Sequence, residues 1–309
     1  MKKKSIIMDC DPGHDDAIAI ILACSSDLLD VKGITTVAGN QTIQKTTNNA
    51  LRVLNFIGKK VPVAMGAGKP ICRALETAPN VHGKSGLDGP IIPTSPQKPL
   101  SISAVQFMAE IVEKSEDKIT IIATAPLTNV AEFLVCYPHL KSKIERICLM
   151  GGAAIGGNWS PSAEFNILVD PEAADIVFKS GIPITMAGLD VTHKARIYPE
   201  DIQKIKASGG KVAVMTGELL DFFIQFHNRL GWNFAPLHDP CTVMWLLLPE
   251  MFESQHLNVT IDTTGEFSTG CTVTDFIGVS GRTPNTDVLL NIDRDRMIQL
   301  LIDCVNKYE

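Results

Sequence analysis

Four carboxylates lie within eight residues near the start of the chain, at positions 9–16 (DCDPGHDD). A helix start explains Asp15 and Asp16, because a helix dipole favours acidic side chains in its first turn. It does not explain Asp9 and Asp11, which follow an apolar run. A bound hard cation explains all four. Oxygen ligands without a nearby cluster of His or Cys favour Ca²⁺ or Mg²⁺ over zinc, so the segment predicts a metal site.

An Asp-x-Asp pair is also typical of Mg²⁺-dependent phosphatases, which use the two carboxylates as nucleophile and acid. Asp9 and Asp11 have this spacing. Such enzymes also need a Thr or Ser after a middle strand, a Lys, and a second acidic pair on a late strand. The sequence contains no convincing late pair, so the phosphatase is the weaker hypothesis.

The elements that must position these carboxylates alternate between short apolar runs and helical patterns. This alternation predicts a parallel sheet with helices on both faces. The acidic segment then begins at the carboxyl end of the first strand, where ligands bind in such sheets. The predicted strands are residues 5–10, 31–38, 61–65, 118–123, 146–150 and 183–187, and the predicted helices are 15–25, 41–57, 103–114, 127–137 and 171–179.

The pattern changes after residue 190. Helices are predicted at 199–206, 211–229, 240–248 and 293–306, and antiparallel strands at 255–262 and 270–275. The Gly- and Pro-rich residues 66–101 predict an irregular loop, and a loop that long in a compact domain is often functional. We find no long linker or repeat. The sequence therefore predicts a single α/β domain over residues 1–309, with an open, mostly parallel sheet flanked by helices and a small late antiparallel addition.

Charge and composition exclude several classes of protein. The net charge of -6 argues against a nucleic-acid partner, because neutralising phosphates needs a basic face. The apolar run after Lys4 is too short for a signal peptide, and no stretch approaches the ~20 residues of a membrane span. The eight cysteines are scattered without a C-x-x-C, which predicts free thiols. We therefore expect a cytoplasmic protein without a membrane partner.

The acidic segment resembles the N-terminal signature of the inosine-uridine-preferring nucleoside hydrolase family. Further segments resemble this family in the family's order over nearly the whole chain, and chance agreement of all of them is implausible. The resemblance implies a Rossmann-like nucleoside hydrolase fold and hydrolysis of the bond between ribose and a nucleobase. The further segments are 39–40 (GN), 81–87 (VHGKSGL), 127–129 (LTN), 149–152 (LMGG), 163–166 (AEFN), 170–174 (DPEAA), 188–192 (GLDVT) and 238–240 (HDP).

The resemblance also implies a calcium ion at the floor of the pocket. By correspondence, its ligands would be Asp11, Asp16, the backbone carbonyl of Thr124, and Asp239. The two residues after Thr124 (AP) depart from a Gly-rich pair common in the family, which should matter little for a carbonyl ligand. Asp239 also fits the N-cap of the helix that follows it, and both roles can hold together.

The chemistry implied by the resemblance assigns Asp11 as the general base that takes a proton from a calcium-activated water. The glycosidic bond would break through an oxocarbenium-like transition state. Amide and carboxylate side chains suit a polyol, because they engage hydroxyl groups as donors or acceptors. The implied ribose-binding residues are Asp15, Asn40, Met150, Asn158, Glu164 and Asn166.

Departure of the base needs a proton or a hydrogen bond. His238 resembles the family's leaving-group histidine and could titrate near neutral pH. His82, in the long loop, is predicted to contact the base, as is His238. We expect His14 to face solvent or to start a helix. The remaining histidines are expected to be structural: His139, His193, His227 and His256.

Within the family, the chain is most similar to bacterial pyrimidine-preferring ribonucleoside hydrolases, which act on cytidine and uridine. This likeness is carried by segments 80–90 (NVHGKSGLDGP), 157–159 (GNW) and 219–223 (LLDFF). The aromatic stretch 222–234 should form part of a lid over the base, although its helical spacing also fits core packing. A broad-specificity or purine-accepting hydrolase and a non-catalytic nucleoside or sugar binder stay open. Family members are commonly dimers or tetramers, so we expect a homo-oligomer.

Overall fold

The computed structural model describes residues 2–308, which form eleven strands and twelve α-helices. The strands are β1 (Lys4–Cys10), β2 (Leu29–Thr36), β3 (Val63–Met65), β4 (Ile119–Ala123), β5 (Ile144–Met150), β6 (Ile184–Ala187), β7 (Arg196–Ile197), β8 (Ala235–Pro236), β9 (Phe252–Ile261), β10 (Thr272–Asp275) and β11 (Thr286–Ile292). The helices are α1 (His14–Ser25), α2 (Ile43–Phe56), α3 (Pro79–His82), α4 (Ala104–Lys114), α5 (Thr128–Cys136), α6 (Phe165–Val169), α7 (Pro171–Phe178), α8 (Leu189–Thr192), α9 (Pro199–Ala207), α10 (Lys211–Arg229), α11 (Pro240–Leu247) and α12 (Arg294–Val305).

Nine of these strands form one sheet in the order β10-β9-β11-β6-β5-β4-β1-β2-β3. All pairs from β11 to β3 are parallel, whereas β9 pairs antiparallel with both β11 and β10. The predicted fold is therefore confirmed, and the late antiparallel strands extend one edge of the same sheet. β7 and β8 form a separate antiparallel pair of two residues each.

The centre of the sheet is buried on both faces, which explains its uninterrupted apolar strands. In β1, Ile6 and Met8 join the core cluster that includes α1, α10 and α11, while Ile7 between them joins the cluster that includes α4 and α5. Helix α1 is buried on nearly every side, so it is apolar all round rather than amphipathic. Its first turn, with Asp15 and Asp16, is thereby held against the end of β1.

The sequence missed some elements and placed most others within a few residues. Helix α10 has the predicted bounds. Strand β11 was not predicted, although it inserts between β6 and β9. Its buried and half-buried residues follow neither the two-residue period of a strand nor the period of a helix, so no clear pattern marks it. The loop 66–101 is irregular as predicted except for one helical turn, α3, which carries His82.

Among residues 2–308, no helix is both long and apolar enough to cross a membrane.

Candidate active site

Acidic side chains meet at the carboxyl edge of the sheet, where β1, β2 and β4 end side by side. The backbone N–H of Asn40 donates to Asp11 Oδ2 at 2.6 Å, and Asn40 Nδ2 donates to Asp16 Oδ2 at 3.2 Å. The Thr124 hydroxyl donates to Asp16 Oδ1 at 2.8 Å, and the Gly13 N–H donates to Asp16 Oδ2 at 3.0 Å. Hydrogen bonds from the loops that follow β2 and β4 therefore fix these two carboxylates.

Asp15, Asp16 and Asp239 each place one carboxylate oxygen within 4.8 Å of the others. All three are buried. Burial and the charge of Asp16 raise the pKa of Asp15 to about 7. Burial, followed by the charges of Asp15 and Asp16, raises the pKa of Asp239 well above its usual range. Buried like charges repel one another, and a cation bound between them would relieve that repulsion. The donor set fits a hard divalent cation.

This group overlaps only partly with the predicted calcium ligands. Among the described residues, the group contains Asp15, which was predicted to bind ribose. Asp11, which was predicted as a calcium ligand, is not part of the group. Asp11 lies next to it, with its N–H 3.4 Å from Asp16 Oδ1; burial and the charge of Asp16 raise the pKa of Asp11 well above its usual range. The Thr124 carbonyl accepts from Asn166 Nδ2 at 3.2 Å, which leaves its second lone pair for a cation. We call Asp11, Asp15, Asp16 and Asp239 the acidic floor.

Asp9 lies apart from the acidic floor, inside the sheet. Its Oδ1 accepts from the Thr35 hydroxyl at 2.6 Å and from Asn129 Nδ2 at 2.7 Å. Within the described chain its Oδ2 has no partner, and burial raises the pKa of this carboxyl to about 7. Asn129 also accepts from the Ala67 N–H at 2.9 Å. Asp9 therefore joins β1 to β2 and α5 and, through Asn129, to the start of the long loop.

The predicted ribose-binding residues all line one cavity of about 270 Å³. Glu164 accepts from the backbone N–H groups of Gly152 at 2.9 Å and Asn166 at 3.0 Å, and burial raises its pKa to about 7. Asn166 Nδ2 also donates to the carbonyl of Met150 at 3.1 Å. Asn158 is exposed at the rim, where its Oδ1 accepts from the Phe165 N–H at 3.0 Å. Polar atoms thus surround the cavity above the acidic floor.

The same cavity is also lined by histidines and apolar side chains, which we call the base wall. The spacing 223, 226 and 227 marks one face of α10, and Leu230 follows directly after the helix ends. This periodic signal could have identified His227 as a lining residue. His193 and His227 were expected to be structural, and both line the cavity instead. The base wall consists of His82, His193, Phe223, Phe226, His227, Leu230, Trp232 and His238.

His238 and His82 reach the cavity as predicted, and each is fixed by a neighbouring element. His238 Nδ1 lies 2.9 Å from the hydroxyl of Thr192 at the end of α8. Burial and nearby histidines lower the pKa of His238 well below its usual range. Burial, followed by the proximity of His14, has the same effect on the pKa of His82. Both rings are therefore neutral at pH 7.

His14 starts α1, as expected, but the expectation that it faces solvent is wrong. It is fully buried, and burial lowers its pKa to about 4. Its ring stacks on Phe222, with centroids 4.9 Å apart and an interplanar angle of 3°, and lies 5.4 Å from the ring centroid of His82. Helix α10, which covers the start of α1, buries it. His139 and His256 are exposed and away from the cavity, as expected.

The rim of the cavity is closed by two hydrogen bonds between segments distant in sequence. Trp159 Nε1 donates to Glu76 Oε2 at 2.8 Å, which joins the loop after β5 to the long loop. Arg229 at the end of α10 donates to the carbonyl of Asn80 at 3.2 Å. The ring of Trp159 also packs edge-on against Phe165. Glu76, Asn80 and Trp159 were not predicted by sequence as single site residues.

Nearly the whole chain is similar to known proteins. The model of the family described as inosine-uridine preferring nucleoside hydrolase matches residues 6–299. A relative from Shewanella woodyi, named pyrimidine-specific ribonucleoside hydrolase RihA, is 54% identical over 99% of each chain. A relative of the same name from Escherichia coli O1:K1 is 52% identical over 98% of each chain.

Solved structures of similar fold include enzymes with other base preferences. A purine-preferring ribonucleoside hydrolase from Gardnerella vaginalis has a TM-score of 0.92 at 30% identity, covering 99% of each chain. A plant nucleoside hydrolase, the PpNRh1 enzyme, has a TM-score of 0.93 at 32% identity, covering 98% of this chain and 99% of that one.

Proposed function

The chain belongs to the inosine-uridine preferring nucleoside hydrolase family, and from this premise we propose that it hydrolyses cytidine and uridine to ribose and the free base. The reaction class, cleavage of an N-ribosyl bond, is that of the family. The identity of 54% to a hydrolase named pyrimidine-specific supports the preference for pyrimidines. The phosphatase and the non-catalytic binder are thereby set aside.

The observation that carries the proposal is that carboxylates, amides and aromatic rings line one cavity together. Carboxylates and amides suit a polyol, and rings suit a planar base. A nucleoside combines these two chemistries in one small molecule. The cavity lining contains three acidic residues, Asp15, Glu164 and Asp239, and no Lys or Arg from the described chain, which favours an uncharged substrate over a phosphorylated one.

The acidic floor is proposed to hold Ca²⁺, with Asp16, Asp239, the Thr124 carbonyl and Asp11 as ligands. Asp15, which lies within the same geometric group, is available as a further ligand or as a partner of a ribose hydroxyl. A bound calcium ion supplies a lowered pKa for a water molecule and a Lewis-acid site for ribose hydroxyls. Oxygen donors alone suit calcium better than zinc.

The residues of this chain divide the remaining work. Asp11 accepts the proton of the attacking water as general base, and the Asn40 N–H fixes its carboxylate for this role. Glu164 and Asn166 hold ribose hydroxyls, and the three N–H groups bound to Glu164 keep its carboxylate in place. Such fixed donors and acceptors lower the cost of ordering the substrate.

His238 and His82 act on the departing base. Thr192 fixes the His238 ring through Nδ1, so that the other ring nitrogen is left to hydrogen-bond the departing base. The rings of Phe223, Phe226 and Trp232 exclude water from the base as the bond breaks.

The direct test is release of ribose from uridine, cytidine, inosine and adenosine in calcium-containing, phosphate-free buffer. Faster release from uridine and cytidine is expected, and an Asp11→Ala variant should release none above background. Faster release from inosine or adenosine would keep the family and overturn the pyrimidine preference. The purine-preferring structure of the same fold makes this the second candidate function.

The whole chain is proposed to act as one hydrolase domain in a cytoplasmic homo-oligomer, a dimer or tetramer. The core clusters extend over both faces of the one large sheet, and all eight cysteines are free thiols. Phe267, Ile277 and Val279 are each more than 80% exposed, and such apolar surface is typical of subunit contacts. Light scattering on the purified protein measures the subunit number, and a monomer would overturn the oligomer proposal.

A further inference from the structure

His14 and His82 meet at one ring nitrogen, Nδ1 of His82. The backbone N–H of His14 donates to this nitrogen at an N···N distance of 3.3 Å, and Nδ1 of the His14 ring lies 3.2 Å from it. A Cβ added to Gly13 would lie 2.5 Å from the same nitrogen. The ring of His82 therefore rests directly on the turn that begins α1, and its other nitrogen, Nε2, is left for the cavity that the ring lines.

The hydrogen on the His14 ring is fixed by Asp88. Nε2 of His14 lies 2.8 Å from the Asp88 carbonyl oxygen, which can only accept a hydrogen bond. Nε2 of His14 therefore carries the hydrogen, and Nδ1 of the neutral ring is a bare acceptor. The stack on Phe222 holds the ring plane, so the two nitrogens keep these places.

Nδ1 of His82 thus faces one donor and one acceptor that belong to the same residue. A bare Nδ1 on His82 satisfies the backbone N–H of His14, whereas a protonated Nδ1 satisfies the bare ring nitrogen of His14. Each arrangement satisfies one buried group and leaves the other without a partner, and the two contacts differ by only 0.1 Å. Each neutral tautomer of His82 therefore gains one of these hydrogen bonds and forgoes the other.

We propose that His14 keeps His82 in a balance of two tautomers, so that Nε2 of His82 meets the nucleobase as either a donor or an acceptor. Exchange between the tautomers moves a proton between the ring nitrogens and leaves the charge of the ring unchanged. The inference rests on the proposed function, because it assigns the nucleobase as the partner of Nε2. It makes His14 a residue that determines specificity without contacting the substrate.

The chemistry of the two pyrimidines explains what such a balance achieves. Cytosine carries an amino donor at position 4, where uracil carries a carbonyl acceptor. At position 3 the order is reversed, with a bare nitrogen in cytosine and an N–H in uracil. A single fixed tautomer would form a hydrogen bond with one of the two bases. With the other base, donor would face donor or acceptor would face acceptor, which is unfavourable in a buried site. The balance lets one cavity accept both bases.

The tautomers of His82 can be measured without substrate, by ¹⁵N NMR of histidine-labelled, calcium-loaded protein. His82→Gln removes the His82 signals and so assigns them. The expected result is a pair of ring shifts that both lie between those of a protonated and a bare nitrogen, because two tautomers exchange. Shifts that correspond to one tautomer overturn the inference. A protein that shows the balance but releases no ribose from any nucleoside overturns the proposed function, while the tautomer balance stays supported.

A His14→Phe variant tests the link to specificity. Phenylalanine keeps the ring and its stack on Phe222 but removes the acceptor, while the backbone N–H stays, so that His82 should carry its hydrogen on Nε2. The ratio of kcat/KM for uridine and cytidine should then change by about tenfold, the effect of one mismatched buried hydrogen bond. Phe222→Leu is the matched control, since it loosens the same stack and removes neither hydrogen-bonding group. An unchanged ratio in folded His14→Phe protein overturns the inference.

Discussion

The acidic floor, of which Asp15 and Asp239 line the cavity, and the base wall are held in different ways. The floor stands at the ends of buried strands and at the starts of α1 and α11, and N–H or hydroxyl groups fix its carboxylates. The wall comes from one face of α10 and the irregular segments around it, and ring contacts hold it together. The comparison teaches that the proposed reacting groups are tied to the sheet, whereas most of the base wall stands on α10 and on segments outside the sheet.

The largest effect on this comparison is expected when the proposed general base of the acidic floor, Asp11, is replaced. Asp11→Asn keeps the size of the side chain and its acceptor for the Asn40 N–H, but it cannot take a proton from water. We expect kcat to fall by about 10³-fold for every nucleoside, within the range of general-base catalysis. Ribose release from uridine and cytidine measures this. Asp303→Asn, at an exposed position on α12, is the control, and a loss confined to one base would contradict the division.

Removal of calcium should change the charge balance of the acidic floor and leave the packing of the base wall nearly unchanged. Activity should vanish in chelated protein and return with Ca²⁺. In the metal-free folded chain, the pKa of Asp15 is raised to about 7, above the ~3.9 of an unfolded Asp. The folded state then binds its proton more tightly, so this stability contribution is full below about pH 4 and is lost as the pH rises through 7.

Thermal unfolding of metal-free protein at pH 5 and pH 7 measures this contribution. The unfolding temperature should fall between the two pH values, and calcium should restore it at pH 7. In Asp15→Asn protein the fall should be smaller, because one titrating carboxyl is gone. If added calcium does not raise the unfolding temperature at pH 7, this result would contradict a cation site on the acidic floor.

A smaller effect is expected from the base wall. Trp232 stacks on Phe234, with centroids 5.1 Å apart, and lines the cavity. Trp232→Leu should raise KM by about two- to tenfold, the range of one aromatic contact, and by different factors for uridine and inosine. Calcium affinity, measured by titration calorimetry, should stay unchanged. A change in calcium affinity would show that wall and floor are coupled.

The smallest effect is expected at the rim. The bond from Trp159 to Glu76 is exposed, and exposed polar contacts contribute little. Glu76→Ala should therefore change KM by about twofold at most and leave kcat unchanged. Steady-state kinetics with uridine tests this. A tenfold increase in KM would mean that the rim contributes as much to substrate binding as the base wall does.

The same comparison explains how far sequence could predict the molecule. Asp11, Asp15 and Asp16 of the acidic floor were predictable because they follow the buried strand β1, and strand ends in a parallel sheet meet at one edge. The resemblance placed Glu164 and Asn166 correctly in the cavity. His227 was missed because a histidine in a helix has the same spacing whether it faces a core or a cavity. His193 was missed because it lies in the turn after α8, where no periodic pattern marks it. The burial of His14 depends on how α10 packs over the start of α1, and no local pattern encodes that contact.

Strand β11 was missed for a related reason. Its partners are β6, about a hundred residues earlier in the chain, and β9, so its place depends on tertiary pairing rather than on its own alternation. Asp239 shows the opposite case, because a short motif located it although its partners are distant. Motifs that carry chemistry were therefore easier to place than elements that only complete the sheet.

The distance between Asp16 and Asp239 along the chain has a consequence for how the protein is made. More than two hundred residues separate two carboxylates that share one group. Closing so long a loop costs entropy, and contacts of this kind form late in folding. During synthesis, residue 16 leaves the ribosome long before residue 239 exists, so the emerging chain lacks part of the proposed calcium site. Calcium uptake during translation would therefore report that α11 has docked beside α1, and a chain truncated before residue 239 should bind the ion weakly.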